Sequence, residues 1–315
     1  MTERTLPSEG WPPAVLDPAG PYSEPVTLLA WVLLVGGTVI LAIVLGALWI
    51  ALRGSPRLKT RLGGEKAIWI LGFAFPSVVL TGLLVWGLLL TSSLSAARVP
   101  VGAMRVKIIG EMWWWRVHYQ DGQGRETLRD ANELHIPVGQ PVLLELEAAD
   151  VIHSFWVPRL GGKMDMIPGR TNRLLIEADA PGVYKGQCAE YCGGPHALMG
   201  FVVVAHTPAD FARWQASRRP AVGAGGEGLA LFLSSGCAAC HTIRGTPARG
   251  LAGPDLTHVG SRKTLGAGIL PNNPGTMAGW VADSQAIKPA NRMPAYHQFS
   301  GEELQALTAY LVALK

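Results

Sequence analysis

Two stretches near the N-terminus, 25–52 and 67–97, contain no charged residue and are almost continuously apolar. Each exceeds the roughly 20 residues that a helix needs to cross a hydrocarbon core about 30 Å thick. In lipid only a helix satisfies its own backbone over such a length. Region 26–98 is therefore expected to form two antiparallel transmembrane helices, with Pro76 as a kink in the second. The competing reading, two buried helices of a large soluble core, suits runs that are interrupted by charges. A cleaved signal peptide is also disfavoured, because the apolar run starts only after the irregular, Pro-rich tail 1–25 and is too long for a signal core.

From about residue 103 the period changes from helical to alternating. The segments MRVKIIG, WWWRVHY, PVLLELEAAD, TNRLLIEA and GFVVVA are short, β-branched or aromatic, and are separated by Gly, Pro, Asn and Asp. They predict an all-β sandwich or barrel over 99–207. In PVLLELEA, Leu144 and Leu146 alternate with Glu145 and Glu147, giving one buried and one wet face. A helical PADFARWQAS then leads into RRPAVGAGGEG, so 208–225 reads as a linker. The remainder, 226–315, reads as helices between Gly/Pro-rich loops. Its last helix is opened by Ser300 with Glu303 three positions on, a capping box, and carries Leu304, Leu307 and Leu311 on one face.

Composition agrees with a membrane part: 49% of the 315 residues are hydrophobic and only 16% charged. The loop 53–66 between the spans holds Arg53, Arg57, Lys59, Arg61 and Lys66 against Glu65 alone. By the positive-inside rule it faces the cytoplasm, which puts both termini on the outer, periplasmic side of a bacterial inner membrane. The net charge of +4 is largely that loop, and nucleic acid is not implied as a partner.

The four cysteines, Cys188, Cys192, Cys237 and Cys240, form two close pairs. Disulfides are the default in an oxidising compartment, yet each pair sits beside a histidine at ligand spacing, which points to metal chemistry. CAEYCGGPHALM places Cys188, Glu190, Cys192, His196 and Met199 within one short segment, and DVIHSFWVP offers His153 from another loop. Thiolate, imidazole and thioether form a donor set that suits copper, with a zinc site or a structural disulfide as the alternatives. CAACH, from Cys237 to His241, is the signature for covalent c-type haem. KPANRMPAY offers Met293 as the sixth ligand, while Met277 lies in an expected helix and His258 in GPDLTHVGSR.

These motifs, behind two spans, closely resemble subunit II of cytochrome c oxidase with a fused C-terminal class I cytochrome c domain. The resemblance also includes MDMIPGR (164–170) and the aromatic run 113–115. It implies a multi-domain chain: a two-helix transmembrane hairpin, a cupredoxin-like copper A sandwich and a small all-α cytochrome c domain. In such a family Cys188 and Cys192 would bridge two coppers. His153 and His196 would each cap one copper, Met199 would be a weak thioether ligand and Glu190 would give its backbone carbonyl. The Glu190 carboxylate would help to hold Mg²⁺ at the border with subunit I. Trp113 would be where electrons arrive, and Glu65 lies near the cytoplasmic start of the second span, where relatives place the mouth of a proton channel. His118, His135 and His206 lack motif context and are expected to be ordinary strand or surface histidines.

The resemblance further implies subunits I and III as partners, with membrane lipid around the spans and an upstream cytochrome or quinol–cytochrome c reductase as donor. Oxygen reduction would take place on subunit I. A copper A subunit of a nitric oxide reductase would look nearly the same in this chain. A copper chaperone would lack Met199, the second span and the haem motif, and a quinol-oxidising relative would lack the copper ligands.

Overall fold

The computed structural model describes residues 12–95, 99–218 and 225–315. Part of the expected tail (1–11), the end of the second expected span (96–98) and the middle of the expected linker (219–224) lie outside the described residues. The chain divides into two compact units: Glu24–Arg98, and Met1–Ser23 together with Val99–Lys315.

The first unit is the helical hairpin. Helix α1 (Glu24–Arg53) and a short α2 (Pro56–Leu62) precede α3 (Glu65–Leu94). Val26 and Leu29 of α1 line one groove with Leu83, Leu84 and Leu94 of α3, so the start of one helix lies beside the end of the other. Their apolar side chains face outward: Leu41, Trp49, Leu52, Trp69 and Leu88 are all more than half exposed. A soluble core helix would bury this surface, which suits lipid instead. Where a kink was expected, the helix is π-helical over Ile68–Ala74, just before Pro76. Pro76 has no N–H to donate and its ring crowds the carbonyl four residues back, and the wider π turn accommodates both.

The second unit contains the sandwich and the C-terminal helical domain. Ten strands run β1 (Met104–Glu111), β2 (Trp114–Gln120), β3 (Glu126–Ala131), β4 (Glu133–Pro137), β5 (Val142–Ala148), β6 (His153–Trp156), β7 (Met164–Met166), β8 (Asn172–Ile176), β9 (Gly182–Cys188) and β10 (Gly200–His206). They form two five-stranded sheets, β3-β2-β1-β5-β8 and β4-β10-β9-β6-β7. Most neighbours are antiparallel, while β1 with β5 and β10 with β4 are parallel. Leu144 and Leu146 are fully buried and Glu145 and Glu147 are not, as the alternation requires. Between the sheets, Trp115 packs edge-on against Phe155 and Phe201, an arrangement that aromatic quadrupoles favour.

A strap before the hairpin belongs to this unit too. Ala19 N–H donates to the Arg159 carbonyl (2.8 Å), Asp179 N–H donates to the Ala19 carbonyl (2.9 Å), and Ser23 Oγ donates to the Arg159 carbonyl (2.7 Å).

After the sandwich, α4 (Pro208–Ser217) is capped by Thr207. The helical domain comprises α5 (Glu227–Ser234), α6 (Pro274–Ala282), α7 (Ser284–Ile287) and α8 (Gly301–Ala313), with a short two-stranded ribbon of β11 (Thr264–Leu265) and β12 (Leu270–Pro271). The Ser300–Glu303 capping box opens α8, and Leu307 and Leu311 join Phe232, Val259, Met277 and Val281 in a separate core. The domain is fastened to the sandwich by a buried ion pair, Arg262–Asp130 (2.8 Å), and by two main-chain donations. One is Lys263 N–H to Glu133 Oε2 (2.7 Å), and the other is Gly200 N–H to the Ala267 carbonyl (2.8 Å).

His118, His135 and His206 all lie on strands, and two of them meet. His135 is buried, with Nε2 2.7 Å from Glu133 Oε1 and Nδ1 2.7 Å from His206 Nε2, and its ring stacks on Trp214. Strand pairing of β4 with β10 brings His135 and His206 together, which no local pattern encodes. His118 is half-buried, 2.8 Å from Glu126.

Candidate metal centre and cofactor cavity

At one end of the sandwich, β6 begins with His153 and β9 ends with Cys188, so the ladder itself brings these residues together. The loop that follows β9 returns Cys192, His196 and Met199 to the same place. Cys188 Sγ lies 3.8 Å from Cys192 Sγ, 3.9 Å from His153 Nδ1 and 3.2 Å from the Glu190 carbonyl. Cys192 Sγ lies 3.5 Å from His196 Nδ1 and 3.8 Å from Met199 Sδ. All six expected donors therefore converge around two free thiols. His153, Cys188, Cys192 and Met199 are buried, whereas the Glu190 side chain is exposed.

The electrostatics suit a site that holds positive charge. The bond from the Cys192 thiol, with further bonds from His153 and its neighbours, brings Cys188 down to about 4 despite burial, while Cys192 moves up because it keeps the shared proton. Burial pulls His153 down, but its bonds to Cys188 and Asp150 outweigh that and its pKa is raised. Asp150 Oδ1 sits 2.9 Å from His153 Nε2, which leaves Nδ1 aimed at the cluster. Such a carboxylate behind a ligating imidazole fixes the ring's orientation. Soft, buried donors of this kind, two of them thiols with no bond between them, fit a copper pair.

The second candidate site is a cavity of about 570 Å³. Cys237, Cys240, His241 and Met293 line it on one side, and Met112, Trp113 and Trp114 of the sandwich line it on the other. The His241 ring is held with Nδ1 2.8 Å from the Pro254 carbonyl, which makes Nδ1 the donor and leaves Nε2 for a metal. A Cβ on Gly253 would stand 2.7 Å from His241 Cε1, so only glycine admits the ring in this place. Burial lowers the His241 pKa, which keeps the imidazole neutral. The Met293 loop is stiffened by Ser284 Oγ and Gln285 Nε2, which both donate to the Met293 carbonyl. Met277 sits in α6, buried in the core and at the cavity wall, and His258 is buried without lining the cavity. An apolar cavity with two thiols, an imidazole and a thioether at its wall fits a covalently attached haem.

Trp113 precedes β2 instead of lying in it, and is half-buried. Three further participants were not singled out from the sequence. Asp150 could have been suspected from its place three residues before His153. Lys288 and Arg292 are indistinguishable in sequence from surface cations of the Met293 loop. Yet Lys288 Nζ donates to the Trp113 carbonyl (2.7 Å), with its pKa brought down to about 7 by burial, and Arg292 reaches Asp150 (3.7 Å).

The comparisons with known proteins agree with this geometry. Residues 122–206 match the periplasmic domain of cytochrome c oxidase subunit II, and 226–315 match cytochrome c. A cytochrome c oxidase subunit 2 of Bacillus sp. (strain PS3) is 32% identical over 82% of this chain and 77% of its own length. The chain belongs to the cytochrome c oxidase subunit 2 family. Another subunit 2, from Bacillus subtilis, is 30% identical over 83% of this chain and 78% of its own. The subunit 2 of Alkalihalophilus pseudofirmus is 41% identical over 67% of this chain, a match that spans 61% of that relative's length. As a subunit 2, the chain is part of a haem-copper oxidase, with a copper-binding sandwich and a cytochrome c domain.

Proposed function

We propose that the chain is the electron-accepting subunit of a terminal respiratory oxidase. It passes electrons from an external donor, through a haem in the helical domain and a dinuclear copper centre in the sandwich, to subunit I, where oxygen is reduced. The single observation that carries this reading is Trp113. Its ring lines the haem-type cavity and its indole Nε1–H donates to the Cys192 carbonyl at 2.9 Å.

The copper ligands are Cys188, Cys192, His153, His196 and Met199 with the Glu190 carbonyl. The haem is attached by Cys237 and Cys240 and ligated by His241 and Met293. The bound groups supply reversible one-electron chemistry, and the protein holds donors in place so that little moves on transfer. Asp150 orients His153, the Pro254 carbonyl orients His241, and the sandwich core excludes water from the two thiols.

Around the copper end, Val151, Ile152 and Tyr191 are exposed apolar side chains beside the exposed Glu190. This face suits contact with subunit I, with the Glu190 carboxylate free for Mg²⁺ at that border. Two lipid-facing helices and the basic loop 53–66 support an inner-membrane anchor with both termini outside. The strap supports it too, since the chain on both sides of the hairpin belongs to one folded unit. Glu65 stands in the first turn of α3, where a carboxylate also complements the helix dipole. Every relative described above carries the oxidase name, which favours oxygen over nitric oxide as the terminal acceptor.

The test is low-temperature EPR with oxidised and reduced optical spectra of the full chain, matured with haem and loaded with copper. A mixed-valence signal from an electron shared by two coppers, together with a c-type haem band, is expected. A mononuclear copper signal would overturn the reading.

A further inference from the structure

Lys288 is 2% exposed although it carries an ammonium group. Its Nζ donates to two carbonyls, that of Trp113 in the sandwich (2.7 Å) and that of Gly266 in the helical domain (3.0 Å). Among the described residues no carboxylate forms an ion pair with it. Burying an ammonium without a counter-charge is costly, and a leucine or methionine would fill the same space more cheaply. The group's location gives the reason for keeping it. Lys288 lies in the loop that ends at Met293, and its ammonium fixes the main chain of Trp113, whose indole is bonded to the Cys192 carbonyl on its other side. Arg292, in the same loop, approaches Asp150, which accepts from Met112 N–H (2.8 Å) and holds His153. Two cations of one loop thus converge on the segment 112–113, one directly and one through Asp150.

We propose that Lys288 is a positioning residue for electron passage between the two centres, holding Trp113 against Cys192 at the wall of the haem-type cavity. This rests on the assignment of the two centres made above. In the step one electron passes, oxidising ferrous haem iron to ferric and reducing the copper pair by one. No bond forms or breaks and no proton is transferred. Lys288 stands at the cavity wall as well, and its ammonium is spent on the Trp113 and Gly266 carbonyls, so it acts through Trp113. With the helical domain seated on it, Trp113 receives electrons from its own chain and not from a diffusing donor.

The test uses the assembled oxidase containing the full chain, with Lys288→Met, Lys288→Arg, Trp113→Phe and the Lys288→Met/Trp113→Phe double variant. Haem-to-copper transfer is followed after flash reduction of the haem. The hydrogen bond of the Trp113 indole is read separately by ultraviolet resonance Raman difference against Trp113→Phe. Lys288→Met is expected to slow transfer by about tenfold or more, as misplacement of a reacting group does, and to weaken the indole signature, with haem and copper spectra unchanged. Lys288→Arg is expected to restore both, and the double variant to be no slower than Trp113→Phe alone. Transfer at the parental rate in Lys288→Met, or additive slowing in the double variant, would overturn the proposal. If the parental oxidase showed no mixed-valence copper signal, the assignment of the centres would fall. The indole signature alone would then decide whether Lys288 holds Trp113.

Discussion

The Trp113 indole donates to the Cys192 carbonyl at 2.9 Å while its ring forms part of the cavity wall shared with Cys237, Cys240, His241 and Met293. One side chain therefore touches both candidate centres. Trp113→Phe keeps a ring and removes the bond. Haem and copper spectra should be unchanged while transfer between the centres, timed by flash reduction, slows about tenfold. An unaltered rate would place the path elsewhere.

Asp150 contacts no expected ligand atom of the copper site, yet it fixes the ring that supplies one. For Asp150→Ala we expect copper affinity to fall roughly 10–100-fold, as loss of a carboxylate behind a ligating histidine does elsewhere. A chelator-competition titration measures this, with the haem band as internal control.

Gly110 in β1 faces the same imidazole from the opposite sheet. A Cβ there would stand 2.9 Å from His153 Cδ2. Gly110→Ala should therefore move His153 and diminish the mixed-valence copper signal, leaving the haem spectrum intact. Full copper loading with parental EPR parameters would show that the ring has room to yield.

The Arg262–Asp130 pair ties the two folded parts of the second unit together, and both side chains are almost wholly buried. Asp130→Ala leaves a buried guanidinium without its counter-charge, which costs about 3–5 kcal/mol. Denaturation followed both at the haem band and by Trp fluorescence should change from one coincident transition to two. Persistence of a single transition at parental midpoint would refute the role.

Burial brings His135 down to about 3 and His206 down to about 4, from an ordinary value of 6.5. Above pH 6.5 both are neutral whether the chain is folded or unfolded. As pH falls below that, the unfolded chain takes up protons that the folded chain refuses until about 4 and about 3. Stability is lost across this window, by at most about 1.4 kcal/mol per pH unit for each histidine. Glu133, raised by burial, works in the opposite sense above its ordinary value, but as one group against two. Unfolding free energy measured from pH 7 to pH 4 should fall, and His135→Phe should flatten the slope.

Much of this was legible in the sequence because the signals are local. Charge-free runs, the alternation in PVLLELEA and the Ser300–Glu303 box each dictate structure within a few residues. The cysteine motifs do the same for chemistry: Cys188, Cys192, His196 and Met199 share one loop. His153 could be offered from a second loop but not placed beside them, since the β6–β9 ladder that joins them is non-local. The contacts of Lys288, Asp130 and His135 were illegible for the same reason. Each depends on a surface supplied from a distant part of the chain, and a buried lysine has the same letter as a solvated one. Trp113 was singled out in the sequence as a residue of interest, but expected on a strand. The turn in which it lies is what aims its indole at Cys192.

The strap before the hairpin bears on how fragments of this protein should be cut. Residues 17–23 supply an acceptor to Asp179 N–H, donors to the Arg159 carbonyl, and an ion pair between Asp17 and Arg159 (2.8 Å). A soluble piece that begins after the second span discards all of them and bares the surface they cover. Splicing residues 12–23 to position 99 through a short flexible linker, with the membrane helices excised, would keep the sandwich closed at that edge. The truncation point that looks natural in the sequence is thus the one that opens the fold.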